Sequence, residues 1–159
     1  MVVRENSTSS VAVENSTLTT TNGDLALSSD LSSFSAILGV SGAGAQGFGA
    51  AGDVYWVRGR NVSNLAISKG SALNAAKNLG IKALAEGKVN SINADAAGAE
   101  FVALAAGVTG TDLKTDASVS VENSKASSSE DVSITAENSN TTNLTRADAS
   151  GALAAIGAA

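Results

Sequence analysis

Val119-Ser120-Val121-Glu122-Asn123-Ser124 repeats, with one substitution, the phrase Val11-Ala12-Val13-Glu14-Asn15-Ser16, at an offset of 108 in the numbering. Halfway between them, at an offset of 54 from each, the segment 65–70 shows the same alternation of apolar and polar residues in a degenerate form. Self-similarity at a fixed period is typical of stacked supersecondary units rather than of one closed globule. The 159 residues therefore divide into three copies of a unit with a period near 54, and the units start near positions 11, 65 and 119.

Other parts of the chain keep the same period. The aligned segments are 24–27 with 78–81 at an offset of 54 and with 131–134 at 53, 94–99 with 147–152 at 53, and Val3-Arg4 with Val57-Arg58 at 54. Because the repeat covers nearly the whole chain, we expect equivalent residues of successive units to lie next to one another along a rod. The whole chain, residues 1–159, is expected to form a single segment without caps.

The composition disfavours an enzyme. The chain has no Cys, no Pro and no His, so it lacks thiolate metal sites and the commonest general base and metal ligand. Apolar residues make up 43% and the net charge is −5, which favours an ordered chain. Most of these apolar residues are small, and a stacked architecture is the one that stabilises such a chain through backbone hydrogen bonds and contacts between repeats. We predict a non-enzymatic protein without cofactor or metal.

Charge and hydropathy bear on two classes of partner. The sequence pI near 4.6, with ten basic residues that form no stripe along the chain, argues against nucleic acid. No window reaches the roughly 18 apolar residues that a membrane span needs, and the first residues do not read as a secretory signal.

Each unit is predicted to form β-strands. A short alternating strand is followed by a polar Ser/Thr/Asn corner, a second alternating strand, a more variable strand and a Gly/Ala-rich run. This order indicates an all-β fold, namely a right-handed parallel β-helix (β-solenoid). We expect each unit to wind two or three times, giving roughly six to nine coils. Residues 71–86 have helix-friendly composition, but their Thr/Ser-rich counterparts in the other units favour strand.

Asn and Ser recur at the predicted corners. Asn15 and Asn123, or Ser16 and Ser124, can lie at one corner and bond their own or a neighbouring backbone. The alternative is glycosylation, since an Asn-x-Ser/Thr sequon begins at each of five positions. These candidate glycan acceptors are Asn6, Asn15, Asn61, Asn140 and Asn143.

Carboxylates and glycines offer weaker signals. Asp95 and Asp148 recur at matching positions, which predicts a solvated edge rather than a calcium site. The pairs Glu130/Asp131 and Asp112/Asp116 resemble glycosidase carboxylates only in residue type. The glycines of 42–47 fit a G-x-G-x-x-G pattern but lack the required helix and the later acidic residue.

One stretch departs from the repeat. Residues 53–60 hold the only Trp and the only Tyr of the chain, together with Arg58 and Arg60. Aromatic and Arg side chains are enriched at binding hot spots, so Tyr55, Trp56, Arg58 and Arg60 are a candidate surface contact. The alternative is a strand in which Trp56 fills the interior while the two arginines are solvated.

The residue pattern of the repeat resembles that of a known family. The segment 119–138, with the Ala/Gly-rich stretch that follows it, is similar to passenger repeats of filamentous-haemagglutinin-like and leukotoxin-like bacterial adhesins and of autotransporters. The resemblance implies a right-handed parallel β-helix on the bacterial cell surface that serves as an adhesive fibre or stalk. It carries no catalytic motif. No residues match the family's secretion domain, signal or cap, so we expect either a piece of a longer rod or a subunit that stacks end to end.

The leading hypothesis is a non-enzymatic structural or adhesive extracellular fibre. Its partners would be further copies of itself or flanking repeats of a longer chain, together with a host or neighbouring-cell surface. Two alternatives stay open: a carbohydrate-active β-helix enzyme of the polysaccharide-lyase type, and a stalk that carries the toxin portion of a secreted exoprotein.

Overall fold

The computed structural model describes residues 1–151 and 154–158, which form twelve β-strands and no helix. The strands are β1 (Val2–Glu14), β2 (Thr17–Thr19), β3 (Leu25–Ala45), β4 (Phe48–Ala51), β5 (Val54–Ser68), β6 (Ala72–Ala75), β7 (Leu79–Ala99), β8 (Val102–Ala106), β9 (Val108–Val121), β10 (Lys125–Ser128), β11 (Val132–Gly151) and β12 (Ala154–Ala158). The described residues thus contain no helix that could cross a membrane.

The strands form four parallel three-stranded sheets, and each repeat unit contributes one strand to each sheet. Sheet A is β1-β5-β9, sheet B is β2-β6-β10, sheet C is β3-β7-β11 and sheet D is β4-β8-β12. We call β1–β4 layer 1, β5–β8 layer 2 and β9–β12 layer 3. The expectation of two or three coils per unit is therefore wrong: a unit supplies one layer, because neighbouring strands in every sheet come from successive units.

The strand register confirms the sequence period. Val11 pairs with Leu65 and Leu65 with Val119, both at the predicted offset of 54. Leu79 of layer 2 pairs with Leu25 at 54 and with Val132 at 53. In-register parallel pairing places equivalent side chains directly above one another at the strand spacing of about 4.8 Å. We call such a set of three a column.

Two features of the predicted strands change in the structure. The strand that contains Val11 already begins at Val2, and its partners begin at Val54 and Val108, so the layers start earlier than the recurring phrase. The second and the variable strand of each unit are one continuous strand, as in β3. Residues 71–86 contribute β6 and the beginning of β7, so the helical alternative is wrong.

The core lies between sheet C on one side and sheets A, B and D on the other. Its apolar part consists of three clusters: Leu65, Ile67, Leu73, Ala75, Leu79 and Ile81; then Ile37, Val57 and Val89; then Ala97, Ala103 and Ala105. Layer 2 is the most deeply buried layer, because it has a neighbour on each side. Between the first two clusters the interior is polar: Ser63 donates to Ser29, and Asn61 Nδ2 donates to Ser33 Oγ at 2.6 Å and to the Glu86 carbonyl at 2.9 Å.

Asn15 and Asn123 lie at equivalent corners, as the repeat predicts, and their backbone conformation gives a reason for Asn at this position. Asn15, Lys69 and Asn123 have positive φ angles of 46°, 57° and 46° at equivalent positions after β1, β5 and β9. Asn tolerates this left-handed conformation better than most residues, because its short side chain interacts with the local backbone. The neighbouring hydroxyls bond locally: Ser16 Oγ donates to the Glu14 carbonyl at 2.7 Å and Ser124 Oγ to the Glu122 carbonyl at 2.9 Å.

Candidate functional site

The outer face of sheet A carries most of the candidate surface contact. Side chains alternate along β5, so Trp56, Arg58 and Arg60 point outward, while Val57 is fully buried. Tyr55 is separated from the other three: it is half-buried and packs against the Ile37–Val57–Val89 cluster. Grouping Tyr55 with the surface contact therefore does not match its position, and the alternative that placed Trp56 inside is also wrong.

In-register pairing adds two cations from the other layers. Arg4 of β1 pairs with Arg58, and Lys114 of β9 pairs with Arg60. The four side chains, together with Asn6, Gly59 and Asp112, line an open pocket of ≈ 230 Å³. We call this pocket, spread over three layers and two adjacent columns, the basic groove.

The charges of the basic groove are mostly unpaired. Arg58 Nε lies 3.8 Å from Asp112 Oδ2, and both side chains are about half exposed, at 56% and 44%. Two lysines elsewhere on the described surface have closer partners: Lys69 Nζ lies 2.5 Å from Glu14 and Lys82 Nζ lies 3.0 Å from Glu137. Among the strand pairs that the structure describes, cation faces cation only at Arg4–Arg58 and Arg60–Lys114.

Trp56 borders the groove and lies over a glycine. Its partner in β9 is Gly110, and a Cβ added there would overlap the indole ring. Because Gly110 has no side chain, the indole ring lies over it on the outer face, where Trp56 is 37% exposed. The result is an apolar ring beside a row of cations.

A second charged cluster lies inside the molecule. Asp148 pairs with Asp95 as predicted, but their side chains are 4% and 0% exposed, so the predicted solvated edge is wrong. Arg146 donates to Asp95 and, through Nε, to both Asp148 oxygens at 3.0 Å. Asp53 lies near them with both of its oxygens buried, and the Tyr55 hydroxyl interacts with its carboxylate.

The electrostatics of this interior cluster follow from burial and like charge. Burial raises the pKa of Asp53 above its ordinary value, the neighbouring Asp95 carboxylate raises it further, and the charge of Arg146 opposes the shift only in part. The hydrogen bond to Asp148 raises the pKa of Arg146, which stays protonated. Among the described residues, no group of three or more carboxylates is arranged to hold a metal ion. The cluster is a buried ion network in which one guanidinium bonds two carboxylates.

The candidate glycan acceptors differ in accessibility. Asn6, Asn15, Asn140 and Asn143 are exposed. Asn61 is 1% exposed and its amide nitrogen is already used in two hydrogen bonds, so it is out of reach of a modifying enzyme in the folded chain.

Arg4 and Lys114 were absent from the predicted contact, although the sequence contains the signal that identifies them. Applying the offset of 54 to Arg58 and Arg60 leads directly to these two residues. The basic residues form no stripe along the chain, but four of them meet across the sheet.

No family model, no curated protein and no solved structure matches the chain.

Proposed function

We infer that the chain is a stretch of right-handed parallel β-solenoid in which each unit makes one turn, and that it serves as a non-enzymatic structural or adhesive extracellular fibre. The observation that carries this proposal is the in-register pairing of successive units in all four sheets, at sequence offsets between 52 and 55. A molecule built by repeating one layer grows in length without changing its cross-section.

The two outermost layers support further stacking. Leu79 and Ile81 of layer 2 are each 1% exposed, whereas their layer 3 partners Val132 and Ile134 are 48% and 53% exposed. These apolar side chains point toward the interior and lack only a next layer to cover them. The outermost strands also present unpaired backbone groups, which pair readily with another strand.

The next layer would be a further copy of the chain or a flanking repeat of a longer one. Adhesion would use the outer faces, of which the basic groove is the most distinctive. The placement at the cell surface rests on the resemblance of the repeats to those of bacterial exoproteins.

Disulfide cross-linking tests the stacking directly, since the chain has no Cys of its own. Ser10, Asn64 and Ser118 form one outward column of sheet A, so Ser118 of one copy would lie beside Ser10 of the next. Neighbouring strands are about 4.8 Å apart, within the reach of a disulfide, whereas the two positions within one chain are two strands apart and beyond it. The S10C/S118C variant should therefore give a ladder of covalent oligomers on oxidation.

The matched control pairs Ser10→Cys with Ser139→Cys, which lies on the outer face of sheet C and belongs to another column. It should stay monomeric. Absence of a ladder from S10C/S118C in high salt would rule out stacking of copies. If copies of this chain do not cross-link but a chain extended by flanking repeats forms rods in micrographs, the next layer is a flanking repeat rather than another copy.

A further inference from the structure

The basic groove runs against the charge of the rest of the molecule. The chain carries a net charge of −5, yet the groove joins four cations to a single carboxylate, Asp112. A positively charged patch on a protein of negative net charge attracts an anionic ligand, while the remaining surface repels that ligand. The ligand must therefore be held by contacts within the groove rather than by the overall field.

The free groove contains unfavourable contacts that an anion would relieve. Like charges directly opposite each other on neighbouring strands destabilise a sheet. The Arg4–Arg58 and Arg60–Lys114 pairs are of this kind, and Asp112 offsets only part of the repulsion at 3.8 Å from Arg58. An oxyanion between the stacked cations would turn repulsion into charge-assisted hydrogen bonding.

The spacing of the cations favours a linear ligand. Successive cations of one column are about 4.8 Å apart, and adjacent outward columns are about 7 Å apart, at two residues along a strand. The guanidinium groups match carboxylates in fork geometry. One carboxylate on each sugar of a chain laid across the strands would meet these cations in turn.

The other groups in and beside the groove favour a sugar over a nucleic acid. Asp112 accepts hydrogen bonds from hydroxyls and Asn6 can accept or donate them, and a sugar ring presents several hydroxyls where a phosphodiester presents none. The exposed Trp56 ring at the border provides an apolar face of the kind that packs on a pyranose.

We propose that the basic groove binds a linear acidic glycan through its uronate carboxylates, with Arg4, Arg58, Arg60 and Lys114 as the cationic contacts and Trp56 against a sugar ring. This proposal names a ligand for the adhesive role proposed above, and its biological meaning rests on that role. The site itself is complete within one chain. Binding does not require a second copy.

The single Trp provides the measurement. Titrating the chain with oligogalacturonate should change the Trp56 fluorescence in a saturable manner, and the affinity should fall as salt is added. The methyl-esterified form of the same oligosaccharide, which has lost its carboxylates, should not bind. The R58Q/R60Q variant should bind roughly tenfold more weakly or worse, since two charge-assisted contacts are lost.

The matched control is K77Q/K88Q, which removes the same charge from two exposed lysines outside the groove and should retain nearly full affinity. Equal loss in both variants, or no response to oligogalacturonate, would overturn the proposal. Tighter binding of an oligonucleotide or a sulfated oligosaccharide of equal charge would overturn the choice of uronate. Because monomers suffice here, failure of this titration is distinct from failure of the cross-linking experiment.

Discussion

Arg146 of layer 3 bonds Asp95 of layer 2 and, within its own strand, Asp148, so that one guanidinium holds two stacked carboxylates inside the molecule. Removing it would leave these carboxylates buried and uncompensated. We expect Arg146→Met to lower the free energy of unfolding by about 2 kcal/mol at neutral pH, as measured by urea denaturation. Lys82→Met, which breaks the exposed pair with Glu137, is the control and should have little effect. Equal losses would show that the interior network contributes no more to stability than the exposed ion pair.

Asp53 should make stability depend on pH. Its pKa is raised in the folded chain by burial and by Asp95, so the folded state binds the proton more tightly than the unfolded state. The sign follows: stability is greatest below the unfolded pKa and falls as the pH rises through the folded pKa. Asp53→Asn should therefore raise the melting temperature by a few degrees at pH 7 and leave it nearly unchanged at pH 3. Asp116→Asn, on the exposed face of sheet A, removes the same charge and should not show this pattern.

Gly39 is required by the Tyr55 ring that faces it across the interior. A Cβ at Gly39 would overlap the ring, and overpacking a filled interior costs about 1–3 kcal/mol. We expect Gly39→Ala to destabilise the fold by that amount in urea titrations and to increase the exposure of Tyr55 to quenchers. Gly44, further along the same strand, has nothing within 4 Å of an added Cβ. Gly44→Ala should be neutral or slightly stabilising, and a loss as large as that of Gly39→Ala would contradict the packing argument.

The corner at Asn123 tests the conformational role of Asn. With φ at 46°, a β-branched residue is strained, and Asn123→Val should cost about 1–2 kcal/mol of unfolding free energy. Asn123→Gly should be close to neutral, because glycine adopts this region without strain. If both variants lose the same amount, the Asn side chain rather than the backbone conformation stabilises the corner.

Stacking of copies should be favoured by high salt. In a stack, Glu122, Asp131 and Glu137 of layer 3 would face layer 1 carboxylates of the next copy, while Asp112 would meet a cation, Arg4. The layer 1 carboxylates concerned are Glu14, Asp24 and Asp30. Within the chain, layer 2 separates these carboxylates with neutral residues, and Asn78 lowers the pKa of Asp24 by donating to it from its backbone and side-chain nitrogens.

High salt screens this repulsion, so at pH 7 sedimenting assemblies should be larger in high salt than in low salt. The E14Q/D24N/D30N variant should assemble at pH 7. A control with the same charge change, E86Q/E100Q/D116N, alters residues that would face no carboxylate of the next copy. It should not assemble to the same extent, and equal assembly of the two variants would show that net charge alone decides.

Much of the pairing was predictable from the sequence. The repeat predicts that Val11 pairs with Leu65 and Leu65 with Val119. It also predicts the change of offset from 54 to 53 before Val132 and the corner at Asn15. The reason is that matching side chains set the register between similar units. The alternation of residues 55–60 could likewise have assigned Tyr55 to the interior, since neighbours along a strand face opposite sides.

The number of strand layers in a unit was not predictable in this way. The period is the same whether a unit supplies one strand layer or three. The length of β3 and β7, each 21 residues, decided for a single layer per unit. Ser, Gly and Ala interrupt the alternation of large apolar and polar residues within these strands, so the sequence shows no clear strand boundary.

The sequence by itself determined the all-β character, the unit and the partners of each residue within a sheet, because these depend on periodicity and on the conformational preferences of single residues. Only the tertiary structure decided which side chains meet between sheets and across columns. Asp95 and Asp148 are buried because the facing strands cover them, and Arg4 and Lys114 join Arg58 and Arg60 because the layers stack in register. Burial and local charge are properties of the surroundings, and residues far apart in the chain supply those surroundings.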